Sequence, residues 1–185
     1  MTRTKRPDPR SIIRPFPGPG RLIEHAFHEL HVASTGTTQQ IEALGNLHDL
    51  PRPWDPPTCH SAGLRAELWA WLDQVVDWLN TEYTWDVAYV IPACWPAHPH
   101  LVHEIAGLAS QRHSAGHALT SDALEEWHRS TLPAFTDRMR ERLRTHCEEG
   151  HQPWPAQGRH ARYSDPANAS QRAQMYTVDV ESIEN

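Results

Sequence analysis

Between Ser61 and Leu119 the chain carries two apolar helical faces joined by a short link, and this stretch sets what the rest can fold into. Leu64, Leu68, Trp71, Leu72, Val75 and Leu79 recur at steps of three and four, the spacing that lines one face of an α-helix. Trp69 and Trp78 widen that face, so the helix is expected to be covered from more than one side. Ser61 precedes it as an N-cap, whose hydroxyl can accept from unpaired first-turn amides. A second face follows Pro99, which suits a first helical position because no amide donor is needed there. It comprises Leu101, Val102, Ile105, Leu108 and Ala109. The intervening residues 84–92 are β-branched and aromatic and end in Pro92, which predicts a short strand or an extended connector.

Around this nucleus the expected organisation is mainly α: a small helical domain of about four to five helices with disordered N- and C-terminal tails. Residues 1–20 form a basic, proline-rich flexible arm, since proline lacks an amide donor and restricts the residue before it. Ile12, Ile13 and Phe16 are the arm's candidates for packing on the body. Residues 21–151 form the helical domain. Within it, 21–50 read as a helical hairpin with Thr37 or Thr38 as the second helix's cap, 51–57 as a proline-rich linker anchored by Trp54, and 58–151 as the core. Asp122 and Glu125 resemble a capping box, and Leu124, Trp127, His128, Thr131, Phe135 and Met139 form the buried stripe that follows. Pro133 predicts a kink or restart there, and Gly150 a C-cap. Residues 152–185 read as a flexible tail, in which Met175 to Val180 alternate like a strand.

With 185 residues and 38% hydrophobic content, the chain can bury one moderate core. Its formal charge of −6 argues against a surface devoted to nucleic acid, because phosphate contacts need clustered cations. The cations do cluster at one end, where Arg3, Lys5, Arg6, Arg10 and Arg14 face only Asp8. Lys5 is the only lysine, and 16 prolines, 14 histidines and 8 tryptophans accompany the arginines. This is the composition that a GC-rich coding bias produces. Protonating all 14 histidines would take the formal charge from −6 to +8, so a strong response to acid is expected. No stretch reads as a membrane span or a signal peptide. Three cysteines without close pairing suit a reduced cytoplasm and free thiols.

The sharpest chemical signal is the cysteine and histidine density around Cys94. Cys94 and His98 are four apart, His113 and His117 follow at helical i, i+4 spacing, and Cys147 and His151 repeat the first separation. Thiolate and imidazole are zinc ligands, and a structural site needs two such pairs brought together by the fold. Cys94/His98 with Cys147/His151, or either pair with His113/His117, meets that requirement. Against it stand the absence of any CxxC knuckle or HExxH, and a His-Pro-His-Leu-Val-His-Glu run at 98–104 that fits no zincin spacing. GxSxG, P-loop and dinucleotide glycine patterns are also absent.

Trp78-Leu79 with Tyr83, Cys94-Trp95 before His98-Pro99, Leu101-Val102 with Glu104 and Leu108, and Leu124-Glu125-Glu126-Trp127-His128-Arg129 with Met139 stand in a recognisable order. In that order the chain resembles an uncharacterised family of actinobacterial proteins, a domain of unknown function found in chromosomes, phages and conjugative elements. Pro96 stands where that family typically has a second tryptophan. The resemblance implies an all-helical accessory domain with no assigned catalytic residues. The favoured reading is therefore a non-enzymatic cytoplasmic interaction or accessory protein, with Trp85, Tyr89 and Trp95 as the partner surface and no cofactor required. One alternative is a nucleic-acid-binding protein using the basic arm and the arginine-rich stretch 138–144; the other is a zinc-binding domain or enzyme using the Cys/His residues.

Overall fold

The computed structural model describes residues 12–183, and among them the regular structure is helical, with no strand. The helices are α1 (Arg21–Thr35), α2 (Thr38–Ala43), α3 (Ala62–Glu82), α4 (Pro99–Gly116), α5 (Asp122–Glu126), α6 (Leu132–Leu143), α7 (Gln157–Ser164) and α8 (Pro166–Ile183). The backbone between α5 and α6, Trp127–Thr131, is a single π-helical stretch, so residues 122–143 run on as one helix. Pro133 sits at the start of α6, where its missing amide is harmless. The chain divides into two compact units, one ending at Thr145 and the other beginning at His146.

The first unit holds the core. Leu68, Trp71, Leu72 and Val75 of α3 meet Leu101, Ile105 and Ala109 of α4, with Phe135 and Met139 of α6 and Ile23 of α1 closing the sides. All these side chains are nearly or fully buried, as the three- and four-residue spacing requires. Glu104 of α4 accepts from Arg138 at 2.8 Å and also pairs with Arg142, fastening α6 to α4.

Among the described residues, the stretch from Arg14 to Pro17 is bonded to α3. Trp78 donates its indole N–H to the Arg14 carbonyl at 3.0 Å, and Trp71 donates to the Pro17 carbonyl at 2.9 Å. Indole nitrogen can only donate, and a proline-rich strand has carbonyls to offer but few amides that would need partners of their own. Phe16 meets Trp78 edge to face, with ring centroids 5.1 Å apart.

The start of α1 is capped from another helix. Gly20 has no side chain to cap with, and Glu67 of α3 accepts instead from the amides of Leu22 at 2.7 Å and Ile23 at 2.9 Å. A Cβ on Gly20 would lie 2.3 Å from the Glu67 carboxyl carbon, so only glycine lets the carboxylate approach.

Several local expectations change. Residues 87–89 form a 3-10 turn where the sequence predicts a short strand or an extended connector. α2 stops at Ala43, although Thr37, one of the two expected caps, does cap it, through reciprocal bonds with Gln40. Ser61 stands at the α3 N-cap without a side-chain bond, and Asp122 falls one residue inside α5, whose N-cap is Ser121. α6 ends at Leu143 through Arg144, which adopts φ 49°, well before Gly150. The second unit is helical where the sequence predicts a tail, yet α7 and α8 bury no side chain.

Replacing Glu67 by alanine should leave two α1 amides unpaired and cost about 1–2 kcal/mol. Urea denaturation of Glu67→Ala against the parent checks this, and an unchanged midpoint would refute the cross-helix cap.

Candidate metal centre

Cys94 and His98 flank a tight turn. The amide of Trp95 bonds the Pro92 carbonyl, Ala97 bonds Cys94 and His98 bonds Trp95, at 2.9 to 3.0 Å. This winds residues 95–97 into one 3-10 turn. Trp95 anchors it by burying its ring, 3% exposed, against Trp69 at 5.7 Å. Pro99 then opens α4, with His98 as its N-cap residue. The turn brings Cys94 Sγ to 3.4 Å from His98 Nε2.

Cys147 and His151 reproduce the arrangement on the other segment, with Sγ and Nδ1 4.0 Å apart. Cys147 is a buried residue held at φ 71°, a left-handed conformation that costs a residue with a Cβ about 1–2 kcal/mol. Its sulfur also accepts the Gln152 amide at 3.4 Å. Each pair thus sets one sulfur and one imidazole nitrogen, both zinc-ligand types, within 4.0 Å of each other. A cysteine sulfur with an imidazole nitrogen is a soft donor pair.

His113 and His117 belong to a different environment. His113 is 8% exposed, stacked on Phe27 at 4.9 Å and edge-on to Trp71 at 6.0 Å. His117 Nδ1 lies 2.9 Å from the His113 carbonyl oxygen. Burial pushes the His113 imidazole below its ordinary value of 6.5; Glu24, 3.9 Å away, opposes the shift and His117 adds to it.

The three aromatic residues expected at a partner surface separate. Trp85 is fully exposed, Tyr89 is half-buried under Arg140, which donates to its hydroxyl at 2.9 Å, and Trp95 belongs to the core. Of the basic arm, Arg3, Lys5, Arg6 and Arg10 lie outside the described residues, while Arg14 pairs with Asp77 at 2.8 Å.

Tyr83 and His128, 45 positions apart, meet with the hydroxyl 2.9 Å from Nε2. Burial raises the Tyr83 pKa, against a lowering by nearby Arg112. No spacing rule joins such distant residues, so this pair is invisible in the sequence. No family model, curated protein or solved structure matches the chain.

A histidine whose folded pKa is depressed binds its proton more readily when unfolded, so its contribution to stability is complete above about pH 6.5 and fades as pH falls below it. The melting temperature should therefore drop between pH 7.5 and 5.5, and His113→Phe should drop less. Parallel pH profiles for the two proteins would remove His113 as a cause.

Proposed function

We propose that this protein is a non-enzymatic accessory domain built around a structural zinc ion, held by Cys94, His98, Cys147 and His151. The repeated cysteine–histidine geometry, one pair in each compact unit, carries the reading. Around tetrahedral zinc, with Zn–S of about 2.3 Å and Zn–N of about 2.0–2.1 Å, neighbouring donors sit roughly 3.3–3.8 Å apart. The within-pair separations of 3.4 and 4.0 Å lie near that range. Two cysteines and two histidines fill all four positions with protein, leaving none for a reacting water. That is the composition of a structural rather than a catalytic site. A bond to metal would also offset the backbone strain at Cys147.

A second observation supports an interaction role for the domain. Trp85 and Val87, on the link between α3 and α4, are 102% and 85% exposed. Large exposed aromatics are the usual energetic anchors of protein interfaces.

Purified, untagged protein should contain one zinc per chain, and a chelator should lower its melting temperature sharply. Cys94→Ser and Cys147→Ser should lose the zinc, while His113→Gln keeps it. Metal-free protein whose melting ignores chelation would end this reading.

A further inference from the structure

We propose that the cleft between α4 and the π-helical turn is a binding site for a neutral, polyhydroxylated ring compound, such as a mono- or disaccharide. The cleft encloses about 720 Å³, within the range of small-molecule sites. Its floor is one stripe of α4, Gly107, Ser110, Gln111 and Ser114, at helical steps of three and four. Trp54 forms one wall, and Glu126 and Thr131 contribute to the other.

Three independent features mark it as more than a surface hollow. Gly107 sits in mid-helix, where glycine costs about 1 kcal/mol against alanine, yet a Cβ there would meet nothing within 4 Å. Packing therefore does not require the glycine; keeping the floor open gives it a reason. Ser110 is 4% exposed, and its hydroxyl has no hydrogen-bond partner. An unpaired buried hydroxyl costs about 1–3 kcal/mol, a deficit that a ligand hydroxyl at the cleft floor would relieve. Finally, Trp127 and Thr131 lie in the π-helical stretch, a distortion that frequently accompanies functional sites.

The lining selects the ligand class. Among the described residues, no lysine, arginine or histidine lines the cleft, and the one ionised group that does, Glu126, is already bonded to Arg129 at 2.7 Å. Anions would meet a carboxylate and no cation, and a cation would find the carboxylate already paired. What remains is a hydroxyl from each of Ser110, Ser114 and Thr131, the Gln111 carboxamide, the flat Trp54 indole, and an apolar share from Ala115, Ala123 and Trp127. Trp54 stacks one side of its ring near Phe27, with centroids 6.2 Å apart, and stays 41% exposed. A sugar ring offers the complement, a C–H face for the indole and hydroxyls that both donate and accept.

The test follows the Trp54 indole N–H signal of the full chain by NMR during titration with maltose and N-acetylglucosamine, with glucose 6-phosphate and putrescine as charged counter-probes. A saturable shift with at least one neutral sugar is expected, and binding at least about tenfold weaker for both charged probes. Gly107→Leu should abolish the shift while keeping or raising the melting temperature, because leucine is the better helix former. Ser110→Ala should weaken binding several-fold without loss of stability. No saturable shift with either sugar, equal response to a charged probe, or undiminished binding by Gly107→Leu would each overturn the proposal. None of these readings depends on bound zinc.

Discussion

A buried indole N–H can donate but not accept, and it cannot be left without an acceptor. The fold is arranged around three such donors. Trp71 and Trp78 on α3 bond the Pro17 and Arg14 carbonyls, and Trp127 bonds the Leu108 carbonyl of α4 at 3.1 Å. The first two bonds turn a segment without regular structure into a strap along α3. The third fixes the π-helical turn against α4 at the Leu108 carbonyl.

Arg112 sits where Trp78 and Trp127 converge with Phe16. Its guanidinium carbon lies 5.1 Å from the Phe16 ring, 5.8 Å from Trp78 and 5.7 Å from Trp127. A planar cation among three π faces gains electrostatic attraction that partly replaces its lost hydration. The strap, α3, α4 and the π turn thus share one residue. Substituting any of the rings would change the environment of a half-buried charge as well as the packing.

Helix ends are handled by tertiary contacts in the same way. Glu67 substitutes for the cap that Gly20 cannot provide, and Trp95 anchors the turn that sets Cys94 beside His98. The cysteine–histidine geometry is therefore a consequence of a buried tryptophan and two flanking prolines, Pro92 and Pro99. The same backbone that starts α4 presents two donor atoms 3.4 Å apart. Cys147 reaches its position at a cost in backbone strain.

Residue spacing alone determined the helical class, because Leu64, Leu68, Trp71, Leu72, Val75 and Leu79 have only one way to share a face, and all six are buried. It also paired Cys94 with His98 and Cys147 with His151, since four residues of local chain hold each pair together. In the sequence His113 and His117 had the same standing as a ligand pair; their aromatic surroundings on Phe27 and Trp71 come from the packing of α1 on α3 and α4. The sequence likewise could not separate buried Trp95 from exposed Trp85, because both lie in short non-periodic turns where composition carries no inside or outside. The 3-10 turn at 87–89 and the helices after residue 156 escaped pattern reading for the same reason: they lack a sustained apolar face. The Tyr83–His128 contact, the Glu67 cap and the cleft over Gly107 join residues far apart in the chain. Only tertiary structure could decide them, because long-range proximity leaves no local period to read.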